Sequence, residues 1–487
     1  MDLTLETVAT LALVLGIVIS VLVNDNWRRG VFFILGAGFL QDSFRKLVEG
    51  EPVAISAAVA VLTLLVWGIG LNQFRGNPEE MGLSRHYPSI GKAFVVFGGV
   101  VLFQSMLTIV NFGSIALAGI GLLAYLSPLP GIWVGWWYCR TEEDLFQLLR
   151  LYASFGVLVA IGVYLSWSGT DWVILKQVGE AMIIYDDILG LVETHSGFMR
   201  APEVAAWHLG AAACFLIVLA TTRPNLSRTI MFSLAIAVIL PAIYLTGRRK
   251  ALAMIGLFVG IFVILLQFSR NRDARSASIA LIGLAVGILS MLFYLTDDTS
   301  EDSPYRPYTA RASTVYGDAW ERFSELGLGS IGMAIYRVGF FGLGTGVVSQ
   351  GGQHFGVDAE LAGAAEGGLG KIIVELGIPG LIVLVWVLYV IARTIRSQLT
   401  LAQSSGGAGA TVMLALISFL MVNIVLFVTA SQVFGDPFVL VLLGMIFGSV
   451  LAIPPMWNRQ HEDDSGGLRP EDFADRLREA RFRELRR

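Results

Sequence analysis

Thr246-Gly247-Arg248-Arg249-Lys250 sets three consecutive cations between two long apolar runs. At a helix start such a row suits the holding of an anion, which the cations and the free backbone N–H groups would both face. Without an anion the cations oppose the helix dipole, at about 0.3–1 kcal/mol each when exposed. The competing reading is a set of ion pairs with Glu203, Asp358 or Glu366. Arg200, in Ser196-Gly197-Phe198-Met199-Arg200-Ala201-Pro202-Glu203, stands before another apolar run and is a candidate of the same kind. A third group comprises Arg306, Arg311, Arg322, Arg337 and Lys371, with His354 and the carboxylates Asp358, Glu360, Glu366 and Glu375. Gly342-Leu343-Gly344-Thr345-Gly346 lies among them, but no strand precedes it. It reads as a turn that brings backbone close to a ligand or a helix, not as a nucleotide loop.

The elements that must position these residues are membrane helices. The chain has 487 residues, 55% of them hydrophobic and 15% charged, with a mean hydropathy of +0.69. Soluble domains run at about 45–50% apolar and about 25% charged. A net charge of −4 gives no reason to expect nucleic acid. Cys139 and Cys214 fall at a helix end and inside an apolar run, where no outer loop can be stapled. The first apolar run has no basic stretch before it, so it reads as a span and not as a cleaved signal.

Apolar stretches near 5–23, 30–48, 53–71, 93–112, 114–138, 151–168, 205–221, 229–246, 251–268, 277–295, 371–393, 411–430 and 437–453 predict 12–13 transmembrane helices. The second is interrupted by Gln41, Asp42, Arg45 and Lys46, for which snorkelling of the two cations is the simplest account. With the N-terminus outside and the C-terminus inside, 22 of the 34 Lys and Arg fall on inner segments, as the positive-inside rule requires. The expected fold is all-α and polytopic. It comprises N-terminal spans over 1–168, an extracytoplasmic segment 169–204, central spans over 205–295, a large extracytoplasmic loop 296–370, C-terminal spans over 371–453 and a cytoplasmic tail 454–487. The two outer segments are expected to pack on the bundle. Trp320 to Phe341 has the apolar spacing of an interfacial helix. The acidic patch 297–302 and the charged tail read as solvated surface. His208 reads as a hydrogen-bonded packing residue, and Trp133-Val134-Gly135-Trp136-Trp137-Tyr138 as part of an interfacial aromatic belt. On this topology the cations of the first paragraph are outside, against the usual bias.

Three pieces, in order and on one face, resemble the O-antigen ligase and polysaccharide polymerase superfamily. Ser196 to Ala206 resembles its Gly-x-x-x-x-Pro-x-x-x-Ala signature. Leu245-Thr246-Gly247-Arg248-Arg249-Lys250-Ala251 is similar to its Thr-Gly-Ser-Arg-Gly-Ala, with Arg249 at the Arg position. Gly339 to Gly346 resembles its Pro-x-x-Gly-x-Gly, with Gly339 replacing the Pro, and Glu375-Leu376-Gly377-Ile378-Pro379-Gly380 its Glu-x-Gly-x-x-Gly. The likeness covers roughly 190–395. One departure stands out. Where ligases of the family have a His-Asn pair, nine residues before that Glu, this chain has Glu366-Gly367. Either Glu366 takes over, or His354 reaches the site, or the chemistry differs.

The resemblance implies a GT-C-like bundle in a bacterial inner (plasma) membrane, active on the extracytoplasmic face. It would pass glycan from a polyprenyl-diphosphate carrier to a hydroxyl of a glycan or lipid-linked acceptor. A polymerase is slightly preferred over a ligase. A diphosphate leaves as a stable anion, so no strong general acid is needed, unlike glycoside hydrolysis. Positive charge aimed at it is needed, worth roughly several kcal/mol per well-placed group. The expected set is Arg200, Arg248 and Arg249, joined by Arg322 and Arg337. The base that accepts the acceptor's proton is expected to be Glu366, with His354 second. Neither ATP, metal nor other cofactor is demanded. The rival reading is a transporter or flippase for a lipid-linked or anionic solute. It is disfavoured because helix interiors carry little charge and no internal repeat is evident.

Overall fold

The computed structural model describes residues 16, 18–74, 82–178, 183–186, 190–222, 225–268, 283, 287, 307–308, 323–349, 361, 365–405 and 407–464. Its helices are α1 (Arg29–Lys46), α2 (Ala58–Phe74), α3 (Pro88–Phe112), α4 (Ile115–Leu126), α5 (Pro128–Tyr138) and α6 (Glu142–Trp167). After β1 (Ile183–Asp186) and β2 (Gly190–Glu193) come α7 (Pro202–Thr222), α8 (Leu226–Leu245) and α9 (Arg249–Gln267). The last four are α10 (Ser330–Val338), α11 (Gly368–Ser405), α12 (Gly407–Thr429) and α13 (Pro437–Asp464). Among the described residues ten helical stretches are long and apolar enough to cross a bilayer, with α4 and α5 joined as one. The chain is a multi-pass, α-helical membrane protein. The short antiparallel hairpin β1–β2, pairing Ile183 with Glu193, lies in the first connecting segment. The spans expected at 5–23 and 277–295 lie largely outside the described residues, and so do the acidic patch and most of the tail.

In lipid, helices associate through close packing of small residues, since tails are as apolar as leucine. That is how the core is built. Gly131 and Gly135 of α5 face Gly444 and Gly448 of α13, and a Cβ on any of the four would run into the other helix's backbone. The alanine-rich α7 is the axis, with 89% of its apolar window buried, and Gly156 of α6 meets its Ala212 without room for a side chain. Tyr152, Trp207, His208, Phe215, Phe419 and Phe438 fill the space around it. His208 shares a 2.6 Å hydrogen bond with the Tyr152 hydroxyl, in keeping with a packing role.

The loops gather at two ends. At one, Arg28 pairs with Asp144 at 2.5 Å and donates to the Tyr138 carbonyl, while Tyr87 donates to the Leu451 carbonyl. Asp144 also completes a capping box with Thr141 at the start of α6. At the other end lie 47–57, 168–178, 190–200, 246–248, 365–367 and 430–436. They are knit together by the His195 N–H to the Leu245 carbonyl and the Ser431 N–H to the Glu366 carbonyl. These are the two sets of connections that alternating spans require.

Two expectations need correction. Arg45 and Lys46 do not snorkel. Both are buried, and Lys46 Nζ donates to the carbonyls of Ile174, Gly197 and Met199 at 3.1, 2.8 and 2.7 Å. Nor is the tryptophan run an aromatic belt. Trp136, Trp137 and Tyr138 are buried, because glycine packing of α5 on α13 carries that face into the bundle, where Trp137 meets Trp27 and Phe74.

Candidate functional site

The turn between α8 and α9 is set by its own sequence. Thr246 Oγ1 donates to the Ile243 carbonyl and accepts from the Arg248 N–H, and Gly247 takes φ +66°, a value side chains rarely adopt. α9 therefore starts at once. Its N-cap, Arg248, supplies no side-chain acceptor, and the positive end of the α9 dipole lies at this turn.

That turn lines a cavity of about 490 Å³. Arg248, Arg249 and Lys250 contribute to its lining, and so does Glu366, from a different part of the chain. Glu203 is a second carboxylate of the lining, and the rest is largely apolar, including Trp207, Met254, Phe323 and Phe434, with Gln432 and Thr429 as further polar groups. Glu366 is fixed to the α12–α13 connection through two bonds of Ser431, whose N–H reaches the Glu366 carbonyl (2.9 Å) and whose hydroxyl reaches the Ala365 carbonyl (2.7 Å). Glycine at 367 and 368 is obligatory, since a Cβ would strike the Leu326 carbonyl or Phe427. Three expected site residues thus share one cavity: Arg248, Arg249 and Glu366.

Arg248 also meets the competing expectation, pairing with Glu203 at 2.7 Å. Burial lowers its guanidinium pKa and Glu203 opposes this, so the charge is retained. The pair turns Arg248 into a braced member of the row.

Arg200 does not line the cavity. It is 7% exposed and sits between two buried carboxylates, at 2.5 Å from Asp436 and 3.7 Å from Asp42. Burial works against its charge, but Asp436 and Asp42 raise its pKa above the ordinary arginine value. Asp436 further accepts from the N–H groups of Phe438 and Val439, capping α13. Arg200 is thereby a brace among α1, the start of α7 and the start of α13. Its partners were legible only in part. Gly435-Asp436-Pro437 carries the helix-start signal, but nothing in sequence links position 42 to 436. Arg337 is exposed on α10 and is not part of the cavity lining. Arg322, His354, Arg306 and Arg311 lie outside the described residues. Glu375 is fully buried and takes hydrogen bonds from the Tyr125 hydroxyl (2.5 Å) and the Val348 N–H (3.1 Å).

The cavity can hold an anionic group against cations and a helix N-terminus, with two carboxylates, Glu203 and Glu366, in the same enclosure. No known family model matches the chain, and no curated protein matches it in a sequence comparison.

Proposed function

We propose that this chain is a membrane glycosyltransferase of GT-C-like layout that passes a glycan from a polyprenyl-diphosphate carrier to an acceptor hydroxyl, with lengthening of a polysaccharide chain preferred. The observation that supports it is that Arg248, Arg249, Lys250, Glu203 and Glu366 line one cavity between apolar helices. The cations and the α9 N-terminus stabilise the departing diphosphate, and each well-placed donor is worth roughly several kcal/mol when charge develops beside it. Glu366 accepts the proton of the attacking hydroxyl. The C–O bond to the carrier breaks as that to the acceptor forms, and the leaving electron pair stays on the diphosphate. The apolar remainder of the lining suits a substrate that arrives on a lipid. The bias of Lys and Arg toward the opposite end supports a reading in which the cavity end is extracytoplasmic, the face on which transfer in a bacterial inner membrane would take place.

The test is glycan transfer by the purified protein in detergent, with a polyprenyl-diphosphate oligosaccharide and neither ATP nor added metal. Products of two and three repeats establish a polymerase, and transfer only to an added acceptor a ligase. Movement of the lipid-linked sugar across liposomes without any product would make the protein a flippase and overturn the proposal.

A further inference from the structure

Residues 323–349 belong to the expected extracytoplasmic segment, in which Trp320 to Phe341 reads as an interfacial helix, yet their contacts run further, down the side of the bundle. Gly367, near the cavity, touches the Leu326 carbonyl and Ser330. Eleven residues on, just past the break of α11 at Gly377, the Ile378 N–H donates to the Phe340 carbonyl at 2.9 Å. Leu326 to Phe340 therefore runs beside Gly367 to Ile378, which includes about 12 Å of helix from Gly368 to Leu376. At the bottom, Gln104 Nε2 donates to the Phe341 carbonyl (2.9 Å) and the Leu376 carbonyl (3.1 Å). Gln104 lies eight residues, about 12 Å, before the end of α3. On that helix, Phe103, Met106 and Val110 are exposed around it, as is Val95 two turns earlier, so its surroundings are lipid-facing.

Irregular backbone at such a depth is tolerated only if its polar groups are met by protein. They are. Asn111 donates to the Leu343 carbonyl, Thr108 to the Thr345 carbonyl, and the Leu343 N–H to the Val374 carbonyl. Ser105 shares a 2.7 Å bond with the Thr345 hydroxyl. One face of α3 supplies Gln104, Ser105, Thr108 and Asn111, polar residues that an apolar span otherwise has no reason to carry. Gly344 (φ +113°) and Gly377 (φ +69°) let the two backbones approach.

The outward face of this arm is apolar and uncovered: Met333 is 50% exposed, Tyr336 91%, Phe340 53% and Phe341 64%. It continues into the exposed Ile382 and Val385 of α11, whose span faces lipid. We propose that Ser330–Gly346 is a re-entrant arm whose Met333, Tyr336, Phe340 and Phe341 contact the acyl chains of the bilayer leaflet at the cavity end, so that its partner is lipid and not water. Arg337 is compatible with that depth, because an arginine's aliphatic stem can carry its charge toward the headgroups. Phe323, at the head of the same helical stretch, lines the cavity, which links the lipid-contacting arm to the site. The proposal does not depend on the transfer chemistry.

Spin labels test it. Tyr336→Cys and, separately, Phe340→Cys would carry a nitroxide in the full chain in phosphatidylethanolamine–phosphatidylglycerol liposomes, the native Cys139 and Cys214 being buried. Accessibility to oxygen and to a water-soluble nickel chelate is compared with labels at Met106→Cys on α3 and at Asp171→Cys in the exposed loop. The expected result is high oxygen and low nickel accessibility at both arm positions, matching 106. Nickel accessibility like that at 171 would overturn the proposal. So would spin–spin broadening with low accessibility to both reagents, since a second copy would then cover the arm.

Discussion

Arg249 is the residue on which the proposed chemistry turns. It lines the cavity at the start of α9, between Arg248 and Lys250. Loss of one charge-assisted contact of about 1.5–3 kcal/mol predicts that Arg249→Ala slows transfer by roughly ten- to a hundredfold while the protein stays folded and inserted. Steady-state rates on a lipid-linked oligosaccharide check this, and full activity would remove Arg249 from the site. Glu366→Gln is expected to lower kcat far more than KM, and a variant with unchanged kcat would leave the base unassigned. His195 predicts a pH effect on stability. Burial lowers its pKa below 6.5, with Glu193 opposing, so the folded state binds fewer protons than the unfolded state. The stability it contributes is present above that value and is lost as pH falls through it. Wild type should lose more thermal stability than His195→Gln between about pH 8 and about pH 5.5, as a titrating histidine requires. Equal losses in thermal melts would contradict the assignment. At this scale the sequence was informative about Arg248 and Arg249, because Thr246 and Gly247 beside them set their turn, whereas Glu366 is held by Ser431, far away in the chain. It was misleading about Arg200 and Lys46, whose partners come from residues 42, 436 and 197–199.

At the scale of elements, the same distinction separates what was legible from what was not. Span positions follow from length and apolarity, so α2, α3, α6 to α9, α12 and α13 fall close to the stretches read from hydropathy. Pairing between spans depends on small residues that any apolar helix carries. Gly131, Gly135, Gly444 and Gly448 gain meaning only once α5 and α13 are seen to cross. The glycine-rich stretch 342–346 did declare itself as a close-approach turn, and its neighbours are the backbones of α3, α4 and α11. The brace at the cavity end is the element-scale test. Arg200→Ala leaves Asp42 and Asp436 buried without their partner and should destabilise the protein by about 3–5 kcal/mol. Thermal melts in detergent read this out. A variant as stable as wild type would mean that the three groups do not hold α1, α7 and α13 together.

For the whole molecule, the bundle separates two tasks. The Arg28–Asp144 end ties loops with ion pairs and caps, and the other end surrounds an amphipathic cavity beside a lipid-exposed arm. Such a layout fits a substrate that moves in the membrane plane and reacts at its surface. The most direct test of the central claim is the affinity of the purified protein for a polyprenyl diphosphate without sugar. The account predicts binding that Arg249→Ala weakens about tenfold or more, as loss of one charged contact requires, and that Arg337→Ala, away from the cavity, leaves unchanged. Equal affinities for wild type and Arg249→Ala would contradict it, because the diphosphate would then be held elsewhere or not at all.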